Sequence, residues 1–161
     1  MAKKAVTALL FSIFCIFPIF SEINENFEEI IDFSITMEDI DAAVSAGRED
    51  TLLDGRMIIL DGAISAIEII DPEPETFTAE IELVAGKWLG MSDVQMFSSV
   101  VVVSGKEFAA RIPVRRRRTP APDEIQANSH VLVAGKITGF RTFQNGRTAA
   151  VLDGFYIRPI D

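Results

Sequence analysis

Residues 57–70, MIILDGAISAIEII, form one long strand pattern that changes phase in the middle. Ile58 and Leu60 share one face, whereas the later apolar and small side chains share another, namely Ala63, Ser65, Ile67 and Ile69. Side chains alternate between the two faces of a strand, so the phase change requires an irregularity, and it falls at Gly62. A glycine at such a point is typical of a bulge. The sequence therefore predicts a long strand that bends here.

Further alternating segments follow this strand. Phe77, Ala79, Ile81 and Leu83 alternate with polar side chains, which indicates a half-buried strand. Other strands are predicted over 94–103 and 107–112. The last strands form a hairpin between Val131 and Ile157, in which Asn145-Gly146 predicts a primed two-residue turn.

The chain before the strands divides into a leader and an acidic helical segment. Residues 2–21, AKKAVTALLFSIFCIFPIFS, place two lysines before an apolar run of 16 residues, too short to span a membrane as a helix. This pattern predicts a signal peptide over residues 1–21, cleaved after Ser21, and hence export to a periplasm or outer envelope if the host is bacterial. The alternative is an uncleaved anchor, which would make the membrane a partner.

Residues 22–55 are predicted to be helical. Phe27, Ile30 and Ile31 have the spacing of one helical face, and Thr36 is placed to cap a second helix that ends at Gly47. Acidic residues early in this second helix suit the positive end of the helix dipole. The remaining residues, 56–161, form the predicted strand domain.

The composition excludes several kinds of chemistry. The chain has 161 residues with one cysteine and one histidine, so no disulfide framework and no multi-cysteine metal site is predicted. His130 directly follows Ser129, and neighbours on a strand point to opposite faces, so the two do not form a nucleophile–base pair. We therefore expect a protein that is not an enzyme and needs no cofactor or metal.

The predicted strands resemble the OB-fold over residues 56–158. The resemblance depends on the glycine-bent first strand and on the final hairpin, which runs from HVLVAGKITG at 130–139 through Asn145-Gly146 to Val151-Leu152. It implies a mainly β protein, an OB-like barrel of five to six strands preceded by one or two short acidic helices. A β-sandwich is the alternative that these strand lengths also allow. The exposed sheet face and loops of OB-folds commonly bind oligonucleotides, oligosaccharides or proteins.

Charge is distributed unevenly along the chain, whose net charge is −9. Residues 22–82 carry 18 acids and two bases, whereas residues 83–161 carry six acids and 11 bases. This asymmetry predicts either internal charge compensation or a basic binding face. The candidate ligand-binding residues are cations and neighbouring aromatics of the basic part: Trp88, Arg111, Arg115, Arg116, Arg117, Arg118, Lys136, Arg141, Phe143, Tyr156 and Arg158.

Two functions fit these residues. The first is an exported, non-catalytic interaction module of the cell envelope that binds a protein or an anionic polymer. The second is an OB-fold nucleic-acid-binding protein that uses the same residues. The sequence favours the first, because predicted export and a net negative charge both oppose binding to long polyanions except at a local patch.

Overall fold

The structure is a computed structural model that describes residues 30–115 and 118–160. Its elements, in chain order, are β1 (Ile31–Asp32), α1 (Met37–Ser45), a 3₁₀ turn (Glu49–Leu52), β2 (Met57–Asp71), β3 (Thr78–Leu89), β4 (Asp93–Ser104), α2 (Lys106–Arg111), β5 (His130–Thr142) and β6 (Thr148–Pro159).

Strands β2 to β6 close into a ring. Antiparallel pairs join β2 to β3, β3 to β4, and β5 to β6, while β4 and β6 pair in parallel. The ring closes because β5 also pairs with β2. This connectivity, with α2 between the third and fourth strands of the ring, is that of an OB-like barrel. The predicted fold class is confirmed, and the β-sandwich alternative is wrong because two separate sheets would not share this closing pair.

The bend predicted in β2 allows this strand to serve two neighbours. Its residues 57–63 pair with β5, and its residues 63–71 pair with β3. Gly62 lies at the change of partner, where a Cβ atom would stand 2.7 Å from the Val84 carbonyl oxygen and 2.9 Å from Met37 Cε. The register shifts themselves follow Ile64 and Ile69, so the bulge lies slightly beyond the glycine that predicted it.

The core fills the ring and is extended by the helices near its ends. Aliphatic side chains from every strand of the ring are almost fully buried, including Leu60, Ile81, Val101, Val133 and Leu152. Helix α1 adds its buried face to this core. It begins at the predicted cap, because Thr36 accepts a hydrogen bond from the Asp39 amide and donates one to the Asp39 carboxylate.

Two of the secondary-structure predictions are wrong. The segment predicted as a strand over 107–112 forms helix α2, because Phe108 and Ile112, four residues apart, both enter the core from one side of a helical turn. The helix predicted through Phe27, Ile30 and Ile31 extends too far: Ile30 is helical, whereas Ile31 lies in β1 and pairs with Met57 in parallel. Phe27 of that predicted helix is outside the described residues.

The β5–β6 hairpin forms as predicted, but its turn is of another type. The Gly146 amide donates to the Phe143 carbonyl, and the Phe143 amide donates to the Arg147 carbonyl. Gly146 has φ +80°, whereas Asn145 is not left-handed. A primed turn needs both residues left-handed, so this is the longer loop in which a type I turn precedes a left-handed glycine.

The predicted leader, residues 1–21, lies outside the described residues, so cleavage and export stay predictions. Within the part of the chain that is described, no helix is long and apolar enough to cross a membrane.

Candidate nucleic-acid interface

The outer face of β3 and its neighbours is acidic. Glu80 and Glu82 point away from the core on β3, and Glu68 of β2 lies directly opposite Glu80. The corresponding face of OB-folds, with the adjoining loops, is their common ligand-binding surface. Carboxylates along it repel phosphates, so this surface is poorly suited to a nucleic-acid strand.

The cations near this face are already paired. The Arg141 guanidinium donates two hydrogen bonds to the Glu80 carboxylate, at 2.6 and 2.7 Å, and Arg147 contacts Glu82 at 3.1 Å. Phe143 is partly buried, and the Arg147 guanidinium lies 5.7 Å from the centre of its ring. Of the predicted binding residues, Arg141 and Phe143 therefore hold the β5–β6 turn against β3.

Arg147, which pairs with Glu82 beside Arg141 and Phe143, was not among the residues predicted from the sequence. The available signal was the alternation of Glu80 and Glu82 on the solvent side of β3, because such carboxylates favour nearby cations. Nothing local to Arg147 identifies its partner, which lies 65 residues earlier in the chain.

The Arg141 pair predicts a dependence of stability on pH. Hydrogen bonds from Arg141 hold the pKa of the Glu80 carboxyl below its ordinary value, against a smaller opposing effect of burial. A carboxyl with a lowered pKa in the folded state stabilises the fold at pH above its unfolded pKa, and this contribution is lost as the pH falls through the folded pKa. We expect Glu80→Gln to lower the free energy of unfolding by about 1 kcal/mol or less at pH 7, because the pair is partly exposed. The difference from the wild-type protein should close below pH ~4.

Urea unfolding at pH 7 and pH 3 measures this effect. Arg141→Gln and the double variant complete a thermodynamic cycle, in which the two single effects should not add. Glu75→Gln, which removes an exposed carboxylate, is the matched control. A Glu80→Gln deficit that persists unchanged at pH 3 would contradict the role of the ionised pair.

Three of the predicted binding residues come together on the outer side of β5 and β6. Tyr156 lies opposite Ala134, and Arg158 lies opposite Leu132, in the neighbouring outward-facing row. Lys136 lies two residues from Ala134 in the other direction, so the tyrosine stands between the two cations. Tyr156 is 47% exposed, and Lys136 and Arg158 are exposed as well. We call these three residues the β5–β6 strip.

Neither cation of the β5–β6 strip is engaged by another side chain that the structure describes. Two carboxylates border the strip: Asp153 lies opposite Lys136, and Asp61 lies opposite Leu132. The Nε2 atom of His130 lies 3.6 Å from a carboxylate oxygen of Asp61. The strip therefore offers two cations without an ion-pair partner on either side of an exposed aromatic ring, with two carboxylates at its border. Such an arrangement can contact single phosphates and a base.

Arg111 joins helix α2 to this region. Its Nη2 donates to the Ile157 carbonyl at 2.7 Å, between the two strip residues of β6, and its Nε donates to the Asp123 carbonyl at 3.1 Å. These bonds give Arg111 a structural role. Arg115 and Arg118 follow it and are exposed, while Arg116 and Arg117 fall in the gap between the described ranges.

Trp88 lies apart from these cations, towards the end of β3 that is farther from α2. It is 69% exposed. It lines a groove of about 420 Å³ between β3 and the start of α1. Lys87 also lines this groove and is paired with Glu38 at 2.6 Å. Asp61, which borders the β5–β6 strip, also lines this groove, so the groove and the strip share a carboxylate.

Comparison with known proteins gives structural neighbours only. Neither a family model nor a curated protein sequence matches the chain. Among solved structures, it is similar to a small single-stranded DNA-binding protein from Streptomyces coelicolor, at 13% identity and a TM-score of 0.43, covering 66% of this chain and 94% of that one. It is also similar to the Plasmodium falciparum SSB in complex with ssDNA, at 13% identity and a TM-score of 0.43, covering 65% and 94%.

These neighbours contradict the function that the sequence analysis favoured. One is described as a small single-stranded DNA-binding protein and the other as an SSB in complex with ssDNA, so the prediction of an envelope module that binds a protein or an anionic polymer is wrong. In the described residues, no group of three or more potential metal-ligating side chains is found.

Proposed function

We propose that this protein is a non-catalytic module that binds single-stranded nucleic acid through the β5–β6 strip. The observation that carries the proposal is the placement of Tyr156 between Lys136 and Arg158 on one exposed face. Single-strand binding without sequence preference combines cations that hold the backbone with aromatic rings on which bases stack. The strip supplies both in adjacent rows.

The surroundings support this location over the common OB-fold surface. On the outer face of β3, the cations Arg141 and Arg147 are each held in an ion pair with a glutamate. At the β5–β6 strip neither cation is held in an ion pair with a described residue, and the bordering carboxylates of Asp153 and Asp61 leave both cations free to contact a ligand. The exposed Arg115 and Arg118 lie a short distance along the chain from Arg111, which is bonded to β6 beside the strip. They would extend the contact to further phosphates.

The test is the fluorescence anisotropy of a labelled single-stranded oligothymidine, titrated with the full chain at two salt concentrations. Tyr156→Ala should weaken binding by roughly 5- to 150-fold, corresponding to ~1–3 kcal/mol for one stacked base. Tyr156→Phe keeps a stacking ring and should retain most of the affinity. The variant with Lys136→Ala and Arg158→Ala should reduce the slope of log affinity against log salt by about 1.4, at ~0.7 per phosphate contact.

Arg48→Ala is the matched control, because it removes one exposed positive charge next to the end of α1. It should leave the affinity and the salt slope nearly unchanged. Circular dichroism of each variant checks that the barrel is folded. Failure of the wild-type protein to bind at low salt, or full binding by the variant lacking all three strip side chains, would refute the proposal.

A further inference from the structure

The end of the β5–β6 hairpin lies over the outer face of β4. Val100 of β4 and Ala149 of β6 face outward, since each has an outward-facing charged residue as its ladder partner, yet they are only 4% and 2% exposed. Arg141 and Arg147 extend from this hairpin end to glutamates of β3, and β4 lies between β3 and the hairpin. Their side chains therefore cross this face. We call residues 141–148 the hairpin arm.

The two ion pairs that fix the hairpin arm are open to solvent. Arg141 donates two hydrogen bonds to Glu80, whereas Arg147 contacts Glu82 through one nitrogen at 3.1 Å. The four side chains are between 23% and 42% exposed. Ion pairs at such positions contribute little to stability. A dissolved anion can therefore compete for the two guanidinium groups by side-chain movements alone, while the ring of strands stays closed.

The glutamates of β3 resemble a short run of phosphates. Glu80 and Glu82 lie on one face of the strand two residues apart, a distance of ~6.6 Å, and successive phosphates of an extended single strand have a similar spacing. A guanidinium binds carboxylates and phosphates with the same two-pronged geometry. Phe143 adds an aromatic ring to the hairpin arm, 5.7 Å from the Arg147 guanidinium. The arm thus has the groups that bind a single strand, and carboxylates occupy its cations.

We propose that Glu80 and Glu82 act as internal competitors that keep Arg141 and Arg147 from binding phosphates, so that the hairpin arm is a second, closed contact surface for single-stranded nucleic acid. This inference rests on the proposed function, because it concerns the same class of ligand. In the wild-type protein, the glutamates neutralise the arm and repel phosphates, and the ligand is confined to the β5–β6 strip. The two surfaces share cations and an aromatic ring, and they differ in whether carboxylates hold the cations.

The test is the anisotropy titration with oligothymidine, applied to a variant with Glu68→Gln, Glu80→Gln and Glu82→Gln. Glu68 is included because it lies opposite Glu80 and offers Arg141 another carboxylate. At ~20 mM salt the triple variant should bind roughly tenfold or more tightly than the wild-type protein, and its slope of log affinity against log salt should be steeper by about 1.4, at ~0.7 per phosphate contact. Glu82→Gln alone should give about half of this change in slope.

The matched control removes the same negative charge elsewhere. Asp50→Asn, Glu73→Gln and Glu75→Gln together neutralise three exposed carboxylates that lie away from the hairpin arm, so this variant measures the effect of net charge alone. Adding Arg141→Gln and Arg147→Gln to the triple variant should abolish its gain in affinity. The arginine substitutions should therefore cost much more affinity in the triple variant than in the wild-type protein, a coupling that a double-mutant cycle measures.

A gain no larger than that of the control variant would overturn the proposal, and so would a gain that survives removal of both arginines. Tyr156→Ala in the triple variant separates this result from the proposed function, because it removes the ring of the β5–β6 strip and should leave the steeper salt slope. Binding by the triple variant through its arginines, without binding by the wild-type protein, would refute the strip alone. Binding by the wild-type protein without a gain in the triple variant would refute the hairpin arm alone.

Discussion

Gly62→Ala should lower the free energy of unfolding by about 1–3 kcal/mol, although it adds only one methyl group. The added Cβ would lie 2.7 Å from the Val84 carbonyl oxygen, 2.9 Å from Met37 Cε and 3.1 Å from Leu83 Cγ. The carbonyl belongs to the β3 backbone and cannot move without disturbing the β2–β3 ladder. The bent strand must therefore shift away from β3 at the point where it passes from one neighbour to the other.

Urea denaturation followed by circular dichroism measures the loss. Gly139→Ala is the matched control, because it makes the same substitution in β5 at a site where no atom lies within 4 Å of the added Cβ. It should be neutral or stabilise slightly, since alanine restricts the unfolded chain more than glycine does. Equal effects of the two substitutions would show that strand propensity, and not the close approach at Gly62, determines the result.

The position of the irregularity in β2 was predicted only approximately, because the buried phase of Ile58 and Leu60 continues through Gly62 to Ile64, and the register shifts follow Ile64 and Ile69. That this strand changes phase was predictable, since phase is set by the pleat of a single strand. The same is true of the alternation in β3 and of the Thr36 cap. Helix α2 was missed because its local pattern is ambiguous. Phe108, Ala110 and Ile112 have the two-residue spacing of a strand, and Phe108 and Ile112 also have the four-residue spacing of a helix. Six residues are too few to separate these periods.

The candidate site was only partly predictable, because the role of a cation depends on a partner far away in the chain. Lys136, Tyr156 and Arg158 were chosen as exposed candidates, and the β5–β6 register places them together. Arg141 carries the same charge and follows Lys136 by five residues, yet it is paired with Glu80, 61 residues earlier. No local pattern distinguishes the two cations, since the barrel closure that brings β5 to β3 is a property of the whole ring.

Arg111 is a cation whose removal would affect the stability of the fold and could be mistaken for the loss of a ligand contact. Its side chain is 22% exposed, and its two backbone acceptors come from different parts of the chain, Ile157 on β6 and Asp123 in the connection that precedes β5. Hydrogen bonds from a charged donor contribute more than neutral ones. Arg111 thus fixes the end of α2 to the strand that presents the β5–β6 strip, and removing it would disturb that strand without removing any ligand contact.

We therefore expect Arg111→Ala to lower the free energy of unfolding by about 1.5–3 kcal/mol, because two carbonyl groups lose a charged donor. Arg115→Ala removes the same charge from an exposed position, so its effect should stay within about 0.5 kcal/mol. Arg111→Lys should recover only part of the loss, since an ammonium lacks the planar fork that reaches both carbonyls. Urea unfolding of the three variants measures these differences, and anisotropy titrations well below each unfolding midpoint then separate stability from binding. If Arg111→Ala is as stable as Arg115→Ala but loses oligonucleotide affinity more strongly, Arg111 acts on the ligand directly and its structural role is refuted.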